Sequence, residues 1–318
     1  MDAELRTIGR PRLVAIVGPT ASGKTRLALE IAERVGGEIV SADARQVYRR
    51  LDVGTAKPSA EERRRVLHHG LDLAEPWERC DVVRWREAAD AAIAACQAGG
   101  RPVVVAGGTG LYVRVLLRGL CAGSGRDEAL RAWLSPFAAA EPRVARRWLA
   151  RLDPPAAQRI HPHDRVRTVR ALEVALATGR TLSAEQAAHG FAAARYDALL
   201  IGLAVPPAVL RDRIVRRVHE MLAQGWLAEV ATLQRDLPVD APAWQTLGYR
   251  ELRAHLAGET SLAAAVEATV RATWRLAKRQ RTWFRHESDV CWHDPLHERE
   301  GIVDAAAAFL VANPPTAG

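Results

Sequence analysis

The segment LVAIVGPTASGKT, residues 13–25, decides the fold. Leu13 to Val17 is a short apolar run, typical of a buried parallel strand. The next eight residues match the P-loop pattern G-x-x-x-x-G-K-[ST] in full: Gly18, Pro19, Thr20, Ala21, Ser22, Gly23, Lys24 and Thr25. Backbone N–H groups and the helix N-terminus of such a loop surround a phosphate, while the lysine adds charge and the threonine hydroxyl can bind Mg²⁺. The segment predicts a strand, a loop that binds a phosphate or diphosphate, and a helix.

Strands and helices alternate along the chain after this loop. Apolar runs predict strands at residues 13–17, 38–43, 102–106, 199–205 and 290–292. Helical spacing and glycine stops predict helices at residues 25–35, 85–98, 111–117, 208–224, 262–285 and 303–312. This alternation is typical of an α/β protein with a doubly wound parallel sheet.

The middle of the chain has a different pattern, with predicted helices at residues 126–139, 144–151 and 164–178 and no convincing strand. Between Arg143 and Arg180 there are nine arginines and three acidic residues. We therefore predict a helical, basic insertion at residues 122–195, with the P-loop core formed by residues 1–121 and 196–318.

Composition places the chain among ordinary globular proteins, with 48% hydrophobic and 26% charged residues. Its net charge of +8 fits either a solvated basic surface or a polyanionic partner such as nucleic acid. The four cysteines form no Cys-x-x-Cys pair, so neither a zinc site nor a disulfide framework is expected. Without a signal peptide or a membrane span in the sequence, a cytoplasmic protein with no membrane partner is expected.

Two polar residues lie at the carboxyl ends of predicted strands, and we expect the first of them, Asp43, to face the P-loop. Asp43 ends the second strand, and in doubly wound sheets ligands gather beyond the carboxyl ends of strands. It could hold Mg²⁺ through water, act as a general base, or cap a helix. Thr109 lies in Gly107-Gly108-Thr109-Gly110, which either opens a hydroxyl to a ligand or forms a tight turn.

These motifs, taken in order, resemble one family, the tRNA dimethylallyltransferases, also called tRNA isopentenyltransferases. The resemblance covers almost the whole chain and rests on these blocks: GPTASGKT (18–25), SADARQVYRRLDVGTAKP (41–58), GGTGLYV (107–113), RIHPHD (159–164), VRALEV (169–174), LGYREL (247–252) and AKRQRTWFR (277–285). It implies transfer of a dimethylallyl group from dimethylallyl diphosphate to N6 of adenosine 37, in tRNAs that read codons starting with U. The P-loop would then hold the allyl diphosphate with Mg²⁺ on Thr25.

The resemblance also implies roles for individual residues. Asp43 would take the N6 proton, Thr109 would hydrogen-bond to the reacting groups, and Arg217 would steady the diphosphate. On its own, the Arg213, Arg216 and Arg217 face would be interpreted as solvated surface. Contacts with the tRNA anticodon stem-loop are implied for Asp43, Ala44, Arg45, Gln46, Thr109, Arg131, Val166, Arg167, Thr168, Val169, Arg170, Trp244, Gln245, Gly248, Tyr249 and Arg250. A monomer is expected.

The sequence departs from the family pattern at three places, one of them Trp274, where arginine is common. It also leaves three other functions open, one of them a non-enzymatic RNA-binding NTPase-like module. Ala44 stands where the family commonly has serine, and Trp244-Gln245-Thr246 replaces a stretch that usually begins with arginine or glutamine. The P-loop alone would also suit a small-molecule kinase. An adenylate prenyltransferase would share the same chemistry, although the basic insertion argues against it.

Overall fold

The computed structural model describes residues 10–121, 125–191 and 193–312. The chain divides into two compact units. One combines Met1–Leu117 with Arg195–Gly318, and the other is Arg118–Ala194.

A six-stranded sheet forms the centre of the first unit. Its strands are β1 (Arg12–Val17), β2 (Glu38–Ser41), β3 (His68–His69), β4 (Val103–Gly107), β5 (Asp197–Leu203) and β6 (Val290–His293). They run in the order β3-β2-β4-β1-β5-β6, and every pair is parallel. The predicted doubly wound parallel sheet is thus confirmed.

Helices cover both faces of this sheet, because its central strands are apolar on both sides. In β1 the side chains of Leu13, Ala15 and Val17 belong to one buried cluster, and those of Val14 and Ile16 to another. The helices of this unit are α1 (Lys24–Val35), α2 (Ala60–Arg65), α3 (Val82–Ala98), α4 (Gly110–Arg118), α10 (Pro207–Ala223), α11 (Trp226–Asp236), α12 (Tyr249–Leu256), α13 (Leu262–Arg285) and α14 (Arg299–Val311). None of the helices in the described ranges is both long and apolar enough to cross a membrane.

Each predicted strand differs from the observed one by one or two residues at one end or both, and two of these differences have a clear cause. Strand β2 ends at Ser41 rather than Asp43, because the Asp43 Oδ1 accepts the N–H of Arg45 at 2.8 Å and turns the chain. Strand β5 begins at Asp197 rather than Leu199, since Asp197 pairs with Arg12 of β1 both in the ladder and through a 3.0 Å ion pair. The short elements α2 and β3, and the helices α11 and α12, were not predicted.

Among its described residues, the second unit contains helices joined by short loops and no strand. It contains α5 (Glu128–Ala140), α6 (Pro142–Leu152), α7 (Pro154–Arg159), α8 (Arg165–Thr178) and α9 (Leu182–His189). Leu134, Leu149 and Leu172 are fully buried in a cluster of its own. This unit therefore has its own apolar core.

Candidate active site

The P-loop joins β1 to α1 in the conformation that a phosphate cradle needs. Gly18 and Gly23 have φ of 141° and 100°, a region that a residue with a Cβ rarely adopts. Lys24 begins α1, and its Nζ donates to the Pro19 carbonyl at 2.6 Å, so the side chain lies back along the loop. The loop thus brings a cation and a helix N-terminus to one place.

Gln280 of α13 ties the P-loop to the turn after β4. Its Oε1 accepts the N–H of Thr20 at 2.8 Å, and its Nε2 donates to the Gly108 carbonyl at 3.0 Å. A Cβ at Gly108 would lie 2.2 Å from that Nε2, so a side chain there would displace the amide. Gln280 thereby fixes the distance between two loops from different strands.

Asp43 and Thr109 lie in loops that hydrogen bonds join. The Thr109 Oγ1 accepts the N–H of Ala44 at 3.0 Å, and the Thr109 N–H donates to the Ala42 carbonyl at 3.2 Å. β2, β4 and β1 are neighbours in the sheet, and all are parallel. Their carboxyl ends therefore present Asp43, Thr109 and the P-loop at one edge, as predicted for ligand sites in such sheets.

Positive charge at this edge comes from Lys24 and from Arg217 of α10. Burial lowers the pKa of Lys24 to about 7, helped by Arg217 and opposed by Asp43. Burial also lowers the pKa of Arg217, again opposed by Asp43. Two desolvated cations beside one carboxylate make an environment that favours an anionic ligand.

Two adjoining cavities open at this edge. The first, of about 510 Å³, is lined by Lys24, Thr25, Asp43, Arg217 and Gln280 among others. The second, of about 430 Å³, has more apolar walls. Ile214, Val218, Trp226, Leu247 and Leu276 line only the second cavity. Thr20, Asp43, Gly108, Arg217, Met221 and Gln280 line both.

Gln46 holds the loop at residues 54–58 against β2. Its Oε1 accepts the Ser41 hydroxyl at 2.8 Å, and its Nε2 donates to the carbonyls of Thr55 and Ala56 at 3.2 and 3.0 Å. The residue is buried, with both ends of its amide used inside the protein. A direct contact between Gln46 and tRNA stays a prediction.

Lys57 anchors the same loop through a buried ammonium group. Its Nζ donates to the Tyr48 carbonyl at 2.5 Å, to Asp52 at 2.7 Å and to Asp72 at 2.6 Å, while its side chain is only 1% exposed. Three acceptors around one nitrogen match the three donors of an ammonium. This geometry explains why lysine stands here in a chain so rich in arginine.

Replacing Lys57 with methionine should destabilise the protein by about 2 to 3 kcal/mol. This loss of stability is smaller than the loss from breaking a fully buried ion pair, because Asp52 and Asp72 are partly exposed and can be hydrated. Urea unfolding measures the change. Lys278→Met removes an exposed lysine that lies over Trp274 and is the control. Equal stabilities of the two variants would contradict the anchoring role of Lys57.

Glu229 of α11 holds the preceding segment of the loop. Its carboxylate accepts the N–H groups of Asp52, Val53 and Gly54 at 3.0, 2.9 and 3.3 Å, and also the hydroxyl of Tyr249 at 2.5 Å. The ring of Trp226 packs against Gly54 and Gly248, where an added Cβ would lie about 2 Å from it. Gly248 and Tyr249 thus pack inside the first unit.

The other predicted tRNA contacts of the first unit differ in exposure. Arg45, Gln245 and Arg250 are exposed, and Ala44 is half-buried. Trp244 is buried, donates its Nε1–H to the Pro238 carbonyl at 2.9 Å, and is stacked under the guanidinium of Arg253. Gln245 and Ala44 also line the second cavity. Their contacts with tRNA stay predictions.

In the second unit, Glu173 organises two of the predicted tRNA-binding arginines. Its buried carboxylate accepts from Arg131 Nε at 3.1 Å and from Arg170 Nη1 at 3.0 Å, and from the N–H of Asp127 at 2.9 Å. Burial acts to raise the pKa of Glu173. The hydrogen bonds from Arg131, and then from Arg170, outweigh burial and hold this pKa below its usual range. Arg131 and Arg170 are therefore held by ion pairs with a buried carboxylate of the same unit.

The remaining predicted residues of α8 split between surface and core. Val166 and Arg167 are exposed, with Arg167 in a loose 3.4 Å pair with Asp164. Thr168 and Val169 are buried, and Val169 packs in the unit's apolar cluster. Contacts of these four residues with tRNA stay predictions.

Two residues were not predicted from the sequence: Gln280, which lines both cavities, and Glu229, which supports the loop beside them. Gln280 lies in the AKRQRTWFR block, but its partners are at positions 20 and 108. Of the arginine face on α10, Arg217 lines both cavities. Arg216 is exposed and pairs with Glu220, as a solvated face would.

Comparison with known proteins gives a consistent result over the whole chain. Residues 46–287 match the family described as IPP transferase, and residues 11–69 match isopentenyl transferase. The tRNA dimethylallyltransferase of Anaeromyxobacter dehalogenans (strain 2CP-1) is 52% identical over 92% of this chain and 95% of its own. That of Geobacter metallireducens is 47% identical over 94% and 98%.

Solved structures agree with this. The full-length tRNA isopentenylpyrophosphate transferase from Bacillus halodurans is 36% identical, with a TM-score of 0.70 over 95% of this chain and 97% of its own. A eukaryotic dimethylallyltransferase, described as acting on tRNA, is 25% identical, with a TM-score of 0.80 over 94% and 78%.

Proposed function

The chain belongs to the IPP transferase family, and from this membership we propose that it is a tRNA prenyltransferase. It transfers a dimethylallyl group from dimethylallyl diphosphate to N6 of adenosine 37, in tRNAs that read codons starting with U. The product is N6-dimethylallyladenosine.

One observation carries this proposal: a phosphate-binding cavity and a more apolar cavity share the walls formed by Asp43 and Arg217. The first offers Lys24 and Thr25 to a diphosphate. The second offers aliphatic and aromatic side chains to an uncharged group. A reaction that joins a nucleobase to the carbon end of an allyl diphosphate needs these two environments side by side.

Asp43 accepts the proton in the transfer. The N6 nitrogen attacks the C1 carbon of the allyl group, the C–O bond to the diphosphate breaks with its electron pair, and one N6 proton passes to the carboxylate. Oδ1 already accepts the Arg45 N–H, so the proton goes to Oδ2. Thr109 holds the Ala44 amide and with it the position of the Asp43 loop.

Lys24, Arg217 and the loop amides stabilise the negative charge that develops on the departing diphosphate. Mg²⁺ would fit the same cavity, since Thr25 offers a hydroxyl oxygen there and Mg²⁺ prefers oxygen ligands. Bound there beside the diphosphate, Mg²⁺ supplies further positive charge to the leaving group.

The acceptor is the anticodon stem-loop of tRNA. Adenosine 37 lies within the folded loop, so the base has to leave its stack before N6 can reach Asp43. Exposed arginines such as Arg45, Arg167 and Arg250 suit the phosphates and the shape of the RNA.

The protein acts as a monomer in the cytoplasm, and sedimentation of the purified chain checks its assembly state.

Arg167→Ala should weaken tRNA binding and make its dependence on salt shallower by about one phosphate contact, a change of about 0.7 to 0.9 in the log–log slope. Arg167 suits this test because it is exposed and its pairing is loose. Filter binding over a range of salt concentrations measures the slope.

Arg34→Ala is the control for charge alone, because Arg34 pairs with Asp304 on the first unit. Arg131 and Arg170 are poorer choices, since their loss would leave the buried Glu173 underpaired. A salt slope of Arg167→Ala that equals the wild-type slope would remove Arg167 from the interface.

A transfer assay tests the proposed function against its rivals. Labelled dimethylallyl diphosphate is supplied with an anticodon stem-loop, and AMP is added as a competing acceptor. Label should enter the RNA and not AMP. Label in AMP alone would identify an adenylate prenyltransferase. Transfer of phosphate from labelled ATP to a small molecule, without prenyl transfer, would identify a kinase.

A further inference from the structure

Three side chains of different chemistry meet at the amino end of β2, away from Asp43, which follows its carboxyl end. Glu38 begins β2, His69 ends β3, and Cys96 lies in the last turns of α3. The distances are 2.5 Å from His69 Nε2 to Glu38 Oε2, 3.1 Å from Cys96 Sγ to the same oxygen, and 3.9 Å from Sγ to Nε2. Within the described parts of the chain, no other group of three such side chains lies so close together.

Strand geometry explains why these residues meet. Glu38 and Val40 point to the same face of β2, because side chains alternate along a strand. Val40 pairs with His69 in the parallel ladder, so His69 points to that face too. Helix α3 packs on β2 and β3 and adds Cys96, which is fully buried. The cluster is thus held by three regular elements.

We propose that Glu38, His69 and Cys96 bind a zinc-class divalent cation, with water as the fourth ligand. Carboxylate oxygen, imidazole nitrogen and thiolate sulfur are the donors that Zn²⁺ takes in proteins. Ligands 2.0 to 2.3 Å from a tetrahedral ion lie about 3.2 to 3.6 Å apart. Two of the observed distances, 2.5 and 3.1 Å, are shorter than this, and the third, 3.9 Å, is longer. Small side-chain shifts bring them to it.

Arg101 orients the carboxylate for this role. Its Nη1 lies 2.8 Å from Glu38 Oε1, so Oε2 is the oxygen left toward His69 and Cys96. Outer partners of this kind commonly fix metal ligands. The His69 side chain is 23% exposed, which gives water access to the fourth position.

The cation replaces one proton on sulfur. Burial, and then the Glu38 carboxylate, raise the pKa of Cys96 to about 12, so without metal the thiol keeps its proton and donates to Glu38. Binding would release that proton from Sγ. The proton shared by His69 Nε2 and Glu38 Oε2 would move to Nδ1, which leaves Nε2 free to bind the ion. The cysteine spacing gave no sign of such a site, because its ligands come from three separate elements.

Metal titration tests the proposal. Chelator-treated full-length protein is titrated with Co²⁺ in excess Mg²⁺, which occupies sites built from oxygen ligands. We expect one Co²⁺ per chain, a thiolate-to-cobalt charge-transfer band, displacement by Zn²⁺ and a rise in Tm with Zn²⁺. Cys96→Ser should abolish the band, and Arg101→Gln should weaken binding about 10- to 100-fold.

Cys291→Ser is the matched control, because Cys291 is an exposed thiol, and it should keep the band. His69→Asn gives a second loss of binding should Cys96→Ser fail to fold. Wild-type protein that takes up neither Co²⁺ nor Zn²⁺ would show a hydrogen-bonded cluster only and overturn the proposal. Unchanged Zn²⁺ affinity in folded Cys96→Ser or folded His69→Asn would also overturn it.

Discussion

Asp43→Asn is expected to lower kcat for prenyl transfer about 10²- to 10⁴-fold, the range for loss of a general base. Asparagine has the shape of aspartate and can still accept the Arg45 N–H through Oδ1, so the loop should keep its course. It cannot take the N6 proton. Single-turnover transfer to a stem-loop, with enzyme in excess, measures the chemical step.

Two controls separate chemistry from binding in this experiment. Asp240→Asn makes the same change at an exposed position and should leave transfer unchanged. The affinity of Asp43→Asn for the stem-loop should stay near that of the wild type. If Asp43→Asn keeps the wild-type single-turnover rate, the proton leaves by another route and Asp43 is not the base.

Lys24→Met should reduce kcat/KM for dimethylallyl diphosphate about 10²- to 10³-fold, the range for loss of one group that stabilises developing charge. The effect should fall on the donor, with little change in tRNA affinity. Lys278→Met, at an exposed lysine, is the control. Normal kcat and KM for the donor in Lys24→Met would contradict the role of the P-loop.

The lowered pKa of Lys24, about 7, adds a signature in the binding step. At about pH 8 the free ammonium is largely deprotonated, and a bound diphosphate raises its pKa by favouring the charged form. When the donor binds, Lys24 should therefore take up close to one proton at pH 8. At pH 6 it should take up almost none, because it is already protonated. Calorimetry in buffers of different ionisation enthalpy measures this uptake.

The donor's own groups also exchange protons on binding. Subtracting the proton uptake measured with Lys24→Met from that of the wild type removes this contribution. The wild type should exceed that variant by nearly one proton at pH 8, and the difference should vanish toward pH 6. An equal uptake at pH 8 would mean that Lys24 is charged in the free protein.

Local patterns in the sequence were enough for much of this site. The P-loop, Asp43 and Thr109 each follow a strand whose apolar run could be recognised, and parallel strands bring their carboxyl ends to one edge. The role of Arg217 was predicted only from the family resemblance, because Arg213 and Arg216 lie in the same basic stretch and could not be told apart from it. Its burial between two cavities depends on how α10 packs.

Contacts between distant parts of the chain could not be predicted. Gln280 bridges positions 20 and 108, and Glu229 binds amides at positions 52–54. Their partners are backbone groups, which carry no signal in the sequence. The same holds for Glu38, His69 and Cys96, whose meeting depends on strand register and on the packing of α3.

Mass spectrometry of an anticodon stem-loop tests the central claim most directly. The RNA is incubated with the protein, dimethylallyl diphosphate and Mg²⁺, then digested and sequenced by mass. We expect a gain of one C5H8 unit on adenosine 37, and no gain in a stem-loop with guanosine at that position. An unmodified adenosine 37 after incubation with folded protein would contradict it.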